Sequence, residues 1–153
     1  MAAAAILING LPGVGKSTLG IRLALLLGCP VLSTDAVRES FTALTDQAVT
    51  DEALATIAAD AVWALAAAIQ DGVVIDSFWF AGRDDDAATA GIARAGASRV
   101  VEVWCDAPID ADDPAMAPLV GAQPLGIWPV VRVDVSSVVD FDALLPELAS
   151  HLL

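Results

Sequence analysis

Gly10-Leu11-Pro12-Gly13-Val14-Gly15-Lys16-Ser17-Thr18 decides how the rest of the chain is read. It fits the pattern G-x-x-x-x-G-K-[ST]. It also stands where that pattern has physical meaning, after an apolar run at residues 4–9 and before a leucine-rich stretch at 16–27. Gly10, Gly13 and Gly15 take backbone angles that other residues resist, so the loop can turn successive N–H groups toward phosphate oxygens. Pro12 and Val14 complete the loop. Lys16 is placed to reach the β- and γ-phosphates, the Ser17 hydroxyl to ligate magnesium, and Thr18 to lie near the α-phosphate. Lys16 is the only lysine in the chain, kept where this chemistry needs a compact charge. The implied cofactors are ATP and Mg2+. No base-reading motif separates ATP from GTP.

Outward from the loop, short apolar runs alternate with helical ones. Strands are predicted at residues 4–9, 30–33, 73–76, 99–105 and 129–134. Helices are predicted at 16–27, 35–44, 51–71, 84–96 and 141–152. Leu19, Leu23, Leu26 and Leu27 lie on one side of the first helix. Leu54, Ile57, Ala58, Ala61, Val62, Leu65 and Ile69 have helical spacing in the long one, which Gly72 is expected to end. The strands are continuously apolar, as in a parallel sheet covered on both faces. The expectation is one α/β domain over residues 1–153. Residues 106–128 break the alternation, with four prolines, two glycines and no basic residue. Such long connections are usually functional or disordered.

Composition narrows the function. Of the 153 residues, 57% are hydrophobic, which excludes a disordered chain. No apolar run reaches the roughly 18–20 residues that span a bilayer. The start runs directly into the motif without a basic flank, so it reads as a strand and not as a signal peptide. The net charge of −13 disfavours nucleic acid and anionic membranes as partners. Cys29 and Cys105 have no metal-ligand spacing and read as buried thiols of a cytoplasmic protein. His151, the only histidine, lies near the C-terminus, a poor position for catalysis.

In open parallel sheets ligands sit at the carboxyl ends of strands. After the second strand come Ser33-Thr34-Asp35-Ala36-Val37-Arg38-Glu39. Asp35 is a candidate to accept the proton of an attacking hydroxyl, and also a natural helix N-cap. Arg38, one turn on, faces substrate or is a surface charge. The third strand ends Val73-Val74-Ile75-Asp76, a loose Walker B pattern. Asp76 is a candidate for magnesium or substrate, or else a strand-end cap. Phe78-Trp79-Phe80 follows. Two of these belong in the core, and Trp79 is the candidate to line a pocket. Arg83 anchors a substrate oxygen or pairs within Asp84-Asp85-Asp86.

In their order these features resemble the P-loop small-molecule kinases, a group that includes shikimate kinase, gluconate kinase, chloramphenicol phosphotransferase and the zeta-toxin kinases. The resemblance runs through residues 10–18, 33–39, 73–76 with Arg83, 100–105 and 130–136, and only the first motif is highly specific. It implies a three-layer α/β/α fold with a five-stranded parallel sheet in the order 2-3-1-4-5. It implies that Asp35 binds or deprotonates the acceptor hydroxyl, that Arg38, Asp76 and Arg83 shape the acceptor site, and that residues 133–136 border the adenine. The family usually places an arginine-bearing lid after the fourth strand. Here residues 106–128 hold no cation. Arginine at a transferring phosphoryl group is worth roughly 10³-fold or more. Either Arg38, Arg83 or Arg132 replaces it, or a partner supplies it, or transfer is slow or lost.

The leading expectation is ATP-dependent phosphorylation of a small molecule bearing a hydroxyl, with Lys16 and Asp35 catalytic. An acidic pocket (Asp35, Asp76, Trp79) suits a neutral or cationic acceptor. The alternative is a nucleotide-binding or regulatory protein that has lost transfer. A nucleotide kinase is disfavoured, since the acceptor side has too few arginines for a second phosphate.

Overall fold

The computed structural model describes residues 2–153. Five strands, β1 (Ala4–Gly10), β2 (Val31–Ser33), β3 (Gly72–Asp76), β4 (Arg99–Asp106) and β5 (Val130–Asp134), pair in parallel in the order β2-β3-β1-β4-β5. This is the predicted order, and the α/β architecture of a P-loop NTPase. The helices are α1 (Lys16–Leu27), α2 (Thr34–Thr45), α3 (Asp51–Ala68), α4 (Asp85–Ala95) and α5 (Phe141–Leu152).

The continuous apolar strands follow from burial on both faces. Successive side chains alternate across a strand. Ala5 and Leu7 of β1 therefore join Val62 and Trp63 of α3 and Ala88 and Ile92 of α4 on one face. Ile6 and Ile8 join Leu19 and Leu23 of α1 and Leu144 and Leu148 of α5 on the other. The α3–α4 contact is close. A side chain on Gly91 would collide with the Trp63 indole, so that position admits only glycine.

The boundaries differ from expectation where tertiary hydrogen bonds take over. Helix α3 stops at Ala68 and not at residue 71, and Ile69 is already extended. The carbonyls of Gln70 and Asp71 accept from the N–H groups of Ala3 and Ala4. Gly72 opens β3, in register with Ala4, and does not end the helix. The buried stripe of α3 is Leu54, Ala58, Val62, Trp63 and Ala66, while Ile57 and Leu65 are half exposed. On α1, Leu19, Gly20, Leu23 and Ala24 are buried, and Leu26 and Leu27 face outward from that stripe.

Residues 107–129 connect β4 to β5 with one 3₁₀ turn, Ala117–Leu119, and no α-helix. Parallel neighbours are usually joined by a helix that covers the sheet. Here buried Leu125 and half-buried Trp128 do the covering, packed with the α3/α4-side core. Cys105 is buried, and burial pushes its thiol up to about 12. Cys29 is only half-buried, at the end of α1. Among the described residues no helix is long and apolar enough to cross a membrane.

Candidate nucleotide and acceptor site

The phosphate loop leaves β1 at Gly10, whose φ is +140°. A Cβ there would come within 2.8 Å of the Cys105 carbonyl oxygen on the neighbouring strand. The loop ends at Gly15, left-handed with φ 103°, which caps α1. That helix start has no side-chain cap and no acidic residue in its first turn. Its free N–H groups and positive dipole end are therefore available to an anion. This is the arrangement a triphosphate requires.

Lys16 Nζ donates to the Ser77 carbonyl at 3.2 Å and lies 5.3 Å from the Phe78 ring centroid. Burial lowers its pKa, against the pull of Asp76 and Asp35. Ser17 Oγ donates to Asp76 Oδ2 at 2.7 Å. Asp76 is 5% exposed. Burial raises its pKa, while the Ser17 hydrogen bond and the Lys16 charge work the other way. Among the described residues no group of three or more His, Cys, Asp or Glu is placed to hold a metal. Magnesium, however, uses one or two protein oxygens and takes the rest from phosphates and water. The Ser17–Asp76 pair at the start of α1 fits that requirement.

The raised Asp76 pKa has a consequence for stability. Stability tied to the protonated form is present below the ordinary carboxylate range and is lost as pH rises through the raised folded value. Near neutral pH an ionised Asp76 therefore costs stability. Asp76→Asn is expected to raise the melting temperature there, with the gain shrinking as pH falls into the acid range. The same variant is expected to weaken magnesium-dependent nucleotide binding. Thermal melts across pH, with nucleotide titrations, check both. A lower melting temperature at neutral pH would show that Asp76 is a structural cap.

On the acceptor side, the sequence allowed Asp35 to be the cap of α2. The structure gives that task to Ser33, whose Oγ accepts from the Ala36 N–H at 3.3 Å. The Asp35 carboxylate in the first turn is left free of it. Asp35 forms an exposed pair with Arg38 at 3.3 Å. It shares an open cavity of about 500 Å³ with Ser17, Ile21, Val31, Glu39 and Asp76. No lysine or arginine lines this cavity, and Arg38 borders it only through Asp35.

Trp79 is not in the cavity. It is 8% exposed and belongs to the α3/α4-side core, with its ring centroid 6.1 Å from that of Trp63. Its neighbour Phe78 does not line that cavity either, and its ring lies 5.3 Å from Lys16 Nζ and 5.0 Å from the Arg83 guanidinium. The sequence predicts two of the three adjacent aromatics in the core, but only Trp79 enters it; Phe78 and Phe80 are half-buried, with ring centroids 5.6 Å apart. Arg83 stacks on Phe80 at 3.8 Å and pairs with Asp84 at 2.8 Å. Arg132 makes two bonds of 2.9 Å to Asp106. All three arginines offered as substitutes for lid arginines are thus already engaged by carboxylates.

A second cavity, of about 410 Å³, lies where Gly15, Thr18 and Arg22 of the loop and α1 face Val135, Val138 and Phe141. Of the four residues expected beside a base, only Val135 lines it. Asp134 accepts from the Ser136 N–H at 2.9 Å, and residues 137–139 line the cavity beside Val135.

Comparison with known proteins agrees with this geometry. Residues 6–111 match the AAA domain family AAA_33. Comparison with curated proteins returned no match. Among solved structures, the chain is similar to a candidate kinase from Chloroflexus aurantiacus (24% identity, TM-score 0.77, covering 97% of this chain and 95% of that one). It is also similar to a gluconokinase from Sinorhizobium meliloti (17%, 0.65, 98% and 91%). A third similar structure is a sugar kinase from Janibacter (15%, 0.63, 99% and 95%). At these identities the likeness establishes a shared fold.

Proposed function

The chain belongs to the AAA domain family AAA_33, and from that premise we propose that it is a cytoplasmic kinase moving the γ-phosphoryl group of ATP to a hydroxyl of a small molecule. The fold shared with kinases supports phosphoryl transfer in general. The observation that carries the finer reading is the Asp35 carboxylate, free of capping and in one cavity with Ser17 and Asp76.

Each residue has a distinct task. The N–H groups of residues 13–18 hold the phosphates. Lys16 would exchange its bond to the Ser77 carbonyl for one to the γ-phosphate. Ser17 and Asp76 would hold magnesium directly or through water, and that ion would neutralise the charge shared by the β- and γ-oxygens. Asp35 would orient the acceptor hydroxyl and take its proton as the oxygen attacks phosphorus. The cavity between Thr18 and Val135 would take the base. Asp35, Glu39 and Asp76 line the acceptor cavity and no lysine or arginine does, which suits a neutral or cationic acceptor.

Radiolabelled γ-phosphate transfer to a panel of neutral, cationic and acidic alcohols tests this. Label is expected on neutral or cationic alcohols. Transfer confined to acidic alcohols would refute the charge argument. A second reading, a nucleotide-binding protein without transfer, is favoured by the cation-free 106–128 segment and the three engaged arginines. Tight MgATP binding with no labelled product from any alcohol would establish it.

A further inference from the structure

Asn9 of β1 and Glu102 of β4 are both 0% exposed. They project from the neighbouring strands on the α3/α4 side of the sheet, following the alternation that sends Leu7 and Val100 there. Asn9 Nδ2 donates to Glu102 Oε1 at 2.7 Å. Asn9 Oδ1 accepts from the N–H of Gly10 at 2.8 Å and of Trp79 at 3.0 Å. Glu102 Oε1 also accepts from Leu125 N–H at 2.9 Å, and Oε2 accepts from Gly126 N–H at 3.0 Å. Among the described ion pairs Glu102 has no cation partner.

A buried carboxylate without a cation is expensive, and an apolar pair of the same shape would usually be more stable. The backbone groups that satisfy the Asn9–Glu102 pair are therefore informative, Gly10 and Trp79 donating to Asn9 and Leu125 and Gly126 to Glu102. They belong to three separate segments: the first residue of the phosphate loop, the turn that carries Phe78 to Lys16, and the end of the β4–β5 connection. Only together do the two side chains join all three.

We propose that Asn9 and Glu102 are a positioning pair that couples the β4–β5 connection to the phosphate loop. Seating residues 125–126 on the Glu102 carboxylate orients Asn9. The Asn9 carbonyl then fixes the Gly10 and Trp79 amides, and with them the entrance of the loop and the Phe78 turn. The connection acts through this buried link, where an arginine lid would act by contact with the phosphates. The effect on nucleotide binding rests on the phosphate-loop reading above, but the coupling does not.

Amide-resolved hydrogen exchange tests the coupling without ligand. In Glu102→Gln an amide replaces one acceptor, the mismatch falling on a facing N–H. The Gly126 amide is expected to exchange at least roughly tenfold faster, and so are the Gly10 and Trp79 amides, which Glu102 does not touch. Reciprocally, Asn9→Asp sets a second carboxylate against Glu102 and is expected to speed Leu125 and Gly126. Each single variant should bind MgATP roughly tenfold more weakly. The double variant N9D/E102Q restores a donor facing an acceptor between positions 9 and 102 with a single charge, but turns the Gln amide nitrogen toward the Leu125 N–H. Its affinity loss should be smaller than the product of the two single losses, with the Gly10 and Trp79 amides slowed again while Leu125 stays fast.

Should a variant not fold, the wild-type protein in mild denaturant still decides the matter. The Gly10, Trp79, Leu125 and Gly126 amides should then open with a common denaturant dependence. Changes confined to each residue's direct partners, independent opening in the wild type, or additive affinity losses in the double variant would overturn the proposal. A wild-type protein that fails to bind MgATP would instead remove the proposed kinase function, while the exchange pattern still decides the coupling.

Discussion

Lys16→Ala is expected to reduce γ-phosphoryl transfer by roughly 10²–10³-fold, the range found when one fixed donor to a developing charge is removed. Lys16 is the only lysine in the chain, and Arg38, Arg83 and Arg132 each pair with a carboxylate, so none of these three stands free to replace it. The stability effect has the opposite sign to that of most core truncations. Burial lowers the Lys16 pKa, so folding disfavours its charged form. That penalty applies below the folded value and fades as pH rises through the lowered pKa toward the ordinary one. Near neutral pH the ligand-free variant should melt at or above the wild-type temperature, while nucleotide no longer raises the melting temperature. Kinetics and melts with and without MgATP measure both. Wild-type transfer rates in Lys16→Ala would remove the loop from the chemistry.

Asp35→Asn should separate binding from transfer. The carboxylate is free of capping and lies on the open side of the acceptor cavity. Its loss should leave MgATP affinity nearly unchanged and lower kcat by roughly 10²–10⁴-fold, the usual contribution of a positioned base. The Asp35–Arg38 pair is exposed on both sides. Such pairs contribute about 0–1 kcal/mol, so the melting temperature should hardly move. Steady-state kinetics against an acceptor identified by the transfer assay provide the measurement. If Asp35→Asn keeps full kcat, proton removal is assigned to the wrong carboxylate, and Asp76 and Glu39 become the candidates to substitute next.

Much of this was legible because the relevant signals are local. The loop motif carries its own geometry, and buried parallel strands announce themselves as short apolar runs. Sequence reading therefore found all five strands, took their order from the family resemblance, and singled out separately Ser17 and Asp76, which hydrogen-bond at 2.7 Å. It failed where the outcome depended on which groups meet across the fold. The end of α3 was set by hydrogen bonds from Ala3 and Ala4 to residues 70 and 71. Which of the three adjacent aromatics entered the core depended on the position of Trp63. The division of labour between Ser33 and Asp35 at the α2 cap rests on side-chain geometry that residue type alone does not settle. Glu102 sits in an apolar run, three residues after Arg99 and outside any motif, and nothing local distinguishes it from a strand residue facing solvent.

The β4–β5 connection divides into two parts with different obligations. Residues 123–128 are fastened, through the Gln123 carbonyl to the Ala81 N–H, through the Leu125 and Gly126 amides to Glu102, and through the packing of Leu125 and Trp128. Residues 108–122 are mostly exposed, and their hydrogen bonds largely close on one another, as in Asp112 N–H to Asp110 and Met116 N–H to the Asp113 carbonyl. The outer part is therefore a replaceable cassette on a fixed hinge post. An arginine-bearing segment could be grafted between those anchors without disturbing the sheet. For an engineer this is a vacant socket in which phosphate-closing chemistry can be installed and varied separately from the acceptor pocket.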